Sequence, residues 1–138
     1  MKPETPDLTA IFGEPVSVYT RAQAIADGVL IDVSDTARKA GFLIPVAITA
    51  GAWSDCVAWR ETDSNQQMLQ DEPSRLWDVL LMASLAARKA QGERCPFQLY
   101  RVPLDEHATQ SRLATLHLHI GPGDAGEPVI TILMPGED

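Results

Sequence analysis

The chain is short of the residues that carry most recognisable chemistry. Among 138 residues it has two cysteines and three histidines. Cys56 and Cys95 lie far apart and form no CxxC pair, so a thiol redox motif is absent and free thiols are expected. GxSxG, HExxH and Walker patterns are also missing, which removes the common signatures of serine hydrolases, zinc hydrolases and phosphate loops. No stretch approaches the apolar length of a membrane-spanning helix. Residues 1–14 lack the basic-then-apolar pattern of an export signal and carry Pro3 and Pro6. They are expected to form a flexible tail ahead of a single domain at residues 15–138, and the location expected is cytoplasmic. No internal repeat or low-complexity run is visible.

Positive charge is scarce. Nineteen Asp and Glu face eleven Lys and Arg, for a net charge of −8. A polyanion is repelled by such a molecule on average. The balance is uneven, however. Residues 88–112 hold Arg88, Lys89, Arg94, Arg101 and Arg112 against Glu93, Asp105 and Glu106. One basic patch on an acidic body is therefore one reading, and an ordinary solvated surface is the plainer one.

What is present is a sequence of short elements and one long one. Thr20 and Gln23 have the spacing of a capping box, opening a helix that ends at Gly28. Residues 29–33 read as a buried strand joining the sheet. Ser34 is expected to cap a second short helix ending at Gly41, and Thr49 a third that carries Trp53, Cys56 and Val57 along one face. Residues 60–70 are polar and aperiodic, a surface loop. Asp71-Glu72-Pro73 then opens the longest helix, with acids at its positive end and Arg88 and Lys89 at its negative end.

That helix is apolar over much of its girth. Leu76, Trp77, Leu80 and Leu81 make one stripe, which Val79, Ala83 and Leu85 widen. Such a surface needs cover on two sides. The sheet supplies one, and a second copy of the chain is expected to supply the other, which makes Trp77, Leu80 and Leu81 candidates for core or dimer interface. Arg75 and Asp78, at i and i+3, are expected to pair on the exposed side. Residues 97–102, 116–120 and 128–134 alternate as strands, the last two joined by the Gly/Pro/Asp turn at 121–127. The fold expected is α+β: an antiparallel sheet formed mainly by the C-terminal third, packed against one long central helix and shorter N-terminal helices.

Three segments carry a resemblance. They are residues 19–33, Arg75-Leu76-Trp77-Asp78-Val79-Leu80, and residues 121–138 with their rigid turn, β-branched strand and acidic end. In order and spacing they resemble a family of uncharacterised small acidic proteins carried on bacterial plasmids and integrative elements. The resemblance covers roughly residues 12–138. It implies a bacterial cytoplasmic protein serving mobile DNA or its host, in maintenance, conjugation, regulation or defence against restriction. It implies no activity, no cofactor and no site residue.

The residues themselves offer candidate sites, each beside a plainer role. His117 and His119 project from one face of a strand, about 7 Å apart, and could be two metal ligands, with His107, Cys95 or a carboxylate as a third. Polar residues on a half-covered sheet face explain them equally well. Asp124 and Glu127 could hold a hard cation, but two carboxylates make no site. The 121–126 glycines run into a strand, not a helix, so they read as a turn. Cys56 is the one thiol to consider as a nucleophile, yet it falls on an apolar helix face beside Asp55, the setting of an inert thiol. Arg21, at a helix start, could bind a phosphate or a partner carboxylate.

Three functions follow as expectations. The first is a non-enzymatic binding or regulatory accessory protein of plasmid or mobile-element biology, a homodimer without a cofactor. The second is nucleic-acid association through Arg21, Arg88, Lys89, Arg94, Arg101 and Arg112, or its inverse, an acidic mimic of DNA that occupies a DNA-binding host protein. The third is a small metal-dependent enzyme using His117 and His119.

Overall fold

The computed structural model describes residues 19–60, 70–104 and 110–137. The expected tail at 1–14, most of the loop at 60–70, and His107 lie outside the described residues. In chain order the elements are α1 (Arg21–Ala26), β1 (Leu30–Asp32), α2 (Ser34–Lys39), β2 (Val46–Thr49), α3 (Ala50–Cys56), α4 (Glu72–Lys89), β3 (Arg94–Arg101), β4 (Arg112–Pro122) and β5 (Pro128–Leu133). The strands form one sheet in the order β1-β2-β5-β4-β3. The fold is α+β, as the sequence indicates, and β3, β4 and β5 supply most of the sheet. Three of the four pairings are antiparallel; β2 and β5 run parallel. The sheet is therefore mixed, because β2 arrives from the N-terminal half by a crossover and not by a hairpin.

Alternation divides the sheet into two faces. Ile31, Val46, Ile48, Phe97, Leu99, Ala114, Leu116, Leu118, Ile130 and Ile132 point one way, into a core shared with α2, α3 and α4. Leu80, Leu116 and Ile132 are fully buried, each contributing about 1.5–3 kcal/mol by removal from water. α1 lies against the opposite face. There Arg21 donates from Nη1 to Thr131 Oγ1 at 2.7 Å and from Nη2 to the Ile130 carbonyl at 2.7 Å.

The helix starts are written locally. Thr20 and Gln23 form the reciprocal capping box, Thr49 accepts from Ala52 N, and Asp71 accepts from Ser74 N with proline in the first turn of α4. Ser34 differs from expectation. It lies inside α2, preceded by Val33 without a side-chain cap. Its hydroxyl instead donates to Asp32 Oδ1 at 2.6 Å and accepts from Val46 N at 3.1 Å, tying α2 to β2. The strand expected to be buried at 29–33 is a three-residue edge strand with Asp32 exposed and Val29 half-exposed. An edge is bonded on one side only, so its outer side chains stay wet.

Arg75 overturns an expectation. It is not paired with Asp78 on the outside of α4; it is only 3% exposed. Its Nε donates to the Val57 carbonyl at 3.0 Å, and its Nη1 to the Val102 carbonyl at 2.9 Å and to Gln70 Oε1 at 3.2 Å. The guanidinium lies 4.8 Å from the centroid of the Trp59 ring, within the range of a cation–π contact. Among the described residues, Nη2 has no hydrogen-bond partner. Arg75 thereby joins α4 to the segment after α3 and to the end of β3.

Candidate functional site

The register assembles a row of polar side chains across the face that carries α1. Asp32 pairs with Ala47, Ala47 with Thr131, Thr131 with His119, and His119 with Arg94. These five residues come from five strands and share one face. Adjacent strands are about 4.8 Å apart, so Thr131, His119 and Arg94 span about 10 Å. Arg21 reaches down from α1 onto Thr131.

The row is held from several sides. Arg94 Nε donates to His117 Nδ1 at 2.7 Å, and Nη2 donates to the Glu137 carbonyl at 2.8 Å. Nδ1 of His117 therefore acts as an acceptor, which places any neutral-ring proton on Nε2. Glu137 turns back over the sheet: its Oε1 accepts from Thr49 Oγ1 and Met134 N, both at 2.7 Å. Asp124, in the turn between β4 and β5, accepts from Arg21 N at 2.7 Å and Ala22 N at 3.0 Å. Those two amides hold its carboxyl below the usual aspartate range. The turn itself closes with Gly126 at φ 83, a conformation natural to glycine.

Beneath Arg21 and Arg94 lies a cavity of about 430 Å³, lined by those two residues, His119, Gly121, Pro122, Val129, Thr131 and Leu133. Gly121 makes room for the imidazole. A Cβ at that position would stand 2.7 Å from His119 Cε1. A neighbouring hollow of about 660 Å³ shares Arg21, Pro122 and Thr131 with it and extends under α1 toward Thr49 and Glu137.

A second surface is apolar. The outer side of α4 exposes Trp77, Leu81, Met82 and Leu85, each about two-fifths accessible, while Tyr100 is 68% and Leu113 50% accessible. A shallow hollow of about 450 Å³ runs from Asp78, Leu81 and Met82 across β3 at Gln98 and Leu99 to Tyr100 and Leu113. Among the described residues, β3 is an edge strand paired only with β4.

The candidate residues thus separate. Leu80 is core, whereas Trp77 and Leu81 lie on the exposed stripe. Arg88 and Lys89 are exposed in the last turn of α4. Arg101 donates to the Asp55 carbonyl and is salt-bridged to the Asp55 carboxylate at 3.2 Å. Arg112 sits exposed in register with Arg101, at the end of the sheet opposite Arg94. Arg21 and Arg94 share the cavity face. The cations are therefore spread over both faces and both ends of the sheet, not gathered into one strip.

His117 and His119 do share a face. Arg94 uses one ring nitrogen of His117, and among the described residues no three His, Cys, Asp or Glu converge on a point. The Asp124 carboxylate is engaged by backbone amides, and Glu127 Oε1 accepts from Ala125 N at 2.9 Å. Cys56 is buried, and its pKa is pushed up to about 12, first by burial and then by Asp55. That is the setting of an unreactive thiol. Both cysteines are free. Thr131, Glu137 and the bonded role of Arg94 were not foreseen. The sequence pattern ends the strand at Ile120 and gives Gly121 and Pro122 to the turn, whereas both lie in β4, paired with Val129 and Pro128, and this is how Gly121 comes to lie beside His119.

The geometry defines an α+β protein whose five-stranded mixed sheet has a basic hollow on one face and an apolar helix edge on the other. The chain belongs to a family of unknown function, DUF6573, whose model matches residues 11–138. No curated protein and no solved structure matches it significantly. Among the described residues, no helix is long and apolar enough to cross a membrane.

Proposed function

We propose that this protein is a non-enzymatic recognition module that acts as a homodimer, in the accessory biology of bacterial plasmids and mobile elements. The setting rests on the resemblance of residues 19–33, 75–80 and 121–138. The dimer rests on one observation, the exposed apolar stripe of α4 that continues over the β3 edge to Tyr100 and Leu113.

Several features favour a second copy as the occupant. Among the described residues, the only charged side chain lining that hollow is Asp78, so two molecules of net charge −8 meet there with little local repulsion. A two-fold contact sets Leu81 and Met82 of each subunit against Tyr100 and Leu113 of the other, a self-complementary match. Pro96 has no amide to donate, which discourages pairing along the first half of β3. The hollow lies along the second half, at Gln98 to Tyr100.

Charge argues against a polyanion as the principal partner. Arg101 is neutralised by Asp55, the cations are spread over both faces and both ends of the sheet, and the net charge is unfavourable. Sedimentation equilibrium of the full chain across the micromolar range tests the proposal. A dimeric mass is expected, and Leu81→Asp should weaken association by about tenfold or more while leaving the far-ultraviolet circular dichroism unchanged. A monomeric mass throughout overturns the dimer. Binding to duplex DNA at low salt, weakening steeply as salt is added, would reverse the order of protein and nucleic-acid partners.

A further inference from the structure

We infer that the cavity under Arg21 and Arg94 is a binding site for a small phosphorylated molecule. Three observations carry this. The first is charge. In an acidic protein, the lining holds two guanidiniums and an imidazole and, among the described residues, no carboxylate. The acids that act on Arg21 through space have their hydrogen bonds elsewhere: Asp32 accepts from Ser34, Asp124 from the first amides of α1, and Glu127 from Ala125.

The second is the state of the donors. Arg94 is fixed by a histidine nitrogen and by backbone carbonyls, and Arg21 by a hydroxyl and a carbonyl. Among the described residues neither guanidinium is hydrogen-bonded to a side-chain carboxylate, so each is oriented by uncharged groups, while Asp32, Asp124 and Glu127 act on the charge of Arg21 only through space. The His119 ring makes no hydrogen bond among the described residues, and it is accommodated in the lining by the absence of a side chain at Gly121. Guanidinium groups held in place are the side chains best suited to phosphate oxygens.

The third is shape. The volume of about 430 Å³ falls in the range of small-molecule sites. Val129, Leu133 and Pro122 give it an apolar wall for the part of the ligand that carries no charge. Arg94, His119 and Thr131 lie in register on three adjacent strands, so the donors are mounted on rigid backbone and not on loops.

The test is nuclear magnetic resonance of the full-length protein, following the arginine side-chain N–H and histidine ring signals. Inorganic phosphate, glycerol 3-phosphate and succinate are titrated separately at constant ionic strength, with chloride as the reference. Saturable shifts of Arg21, Arg94 and His119 signals are expected with phosphate and glycerol 3-phosphate, the ester binding more tightly because of the apolar wall. Arg94→Gln should weaken the ester by about tenfold or more, and Arg88→Gln should leave it unchanged. Because Arg94 also anchors the C-terminal residues, Gly121→Ala supplies a second variant. It keeps every charge and crowds His119 in the cavity, and it too should weaken binding while the backbone amide spectrum stays folded. Shifts no larger than those with chloride overturn the proposal. So does saturation by succinate but not by phosphate, or equal affinity in wild type, Arg94→Gln and Gly121→Ala.

Discussion

Arg75 shows how far a single residue's role can depart from its local pattern. By spacing it belongs on the wet side of a helix beside Asp78; in the fold it is buried among backbone carbonyls. Burial lowers its pKa, but arginine remains charged across the accessible range. Two of its acceptors, the Val57 and Val102 carbonyls, are main-chain groups that no substitution removes. Arg75→Met should therefore cost about 2–4 kcal/mol, since the Val57 and Val102 carbonyls stay buried without a donor; urea unfolding monitored by tryptophan fluorescence would measure it. A loss under about 0.5 kcal/mol would show that water replaces the guanidinium at no cost. The cysteines make a second residue-scale prediction. In native protein an alkylating reagent should modify Cys95, which is partly exposed, and spare Cys56, whose thiol is held up to about 12. Mass spectrometry of the labelled peptides checks this, and equal labelling would mean that the core opens readily.

At the scale of elements, α4 is the piece on which the self-association reading depends. Its inner face is closed by Leu76, Val79, Leu80 and Ala83, and its outer face is not. The apolar pattern that called for two covers is thus met once within the described residues. The start of the helix rests on Asp71, which accepts from Ser74 N at 2.8 Å and from Ser74 Oγ at 3.1 Å. Asp71→Ala should lose about 1 kcal/mol in a chemical denaturation curve, with an unchanged slope. Asp71→Ser should recover most of it, because a serine hydroxyl caps the same amide. If serine and alanine behave alike, the cap does not set the end of α4. The β4–β5 hairpin was readable because a Gly/Pro/Asp turn between two alternating runs has few other solutions. The parallel pairing of β2 with β5 was not, since nothing in either strand specifies a partner more than eighty residues away.

For the whole molecule, the ties between distant segments dominate. Asp124 joins the C-terminal hairpin to α1, Glu137 joins the last residues to β2, and Asp32 with Ser34 joins β1 to α2 and β2. The carboxyls of Asp32 and Asp124 are both held below the ordinary aspartate value, Asp32 first by the Ser34 hydroxyl and Asp124 first by the Ala22 amide. A carboxyl with a lower pKa in the folded state adds stability that is present above the unfolded value, about 3.9. That stability is lost as pH falls through the folded value. Unfolding free energy should therefore drop as pH falls below about 4 and through the lowered folded-state values, and Asp124→Asn should flatten the drop. A denaturation series over that range decides it; an equal slope in the variant would assign the acid sensitivity to other groups.

The sequence by itself determined the quantities that depend on near neighbours. Caps at Thr20, Thr49 and Asp71, the length of α4, the hairpin at 121–127 and the inert character of Cys56 all follow from residues within a few positions of one another. It also placed His117 and His119 on one face, because strand alternation is a local rule. Only the tertiary structure decided that Arg94, His119 and Thr131 stand in one row with Arg21 above them, that Arg75 is buried, and that the cations of residues 88–112 fall at opposite ends of the sheet. The physical reason is that strand register and helix docking are set by burial summed over the whole core, and a shift of one residue in a strand would turn that strand's side chains to the other face.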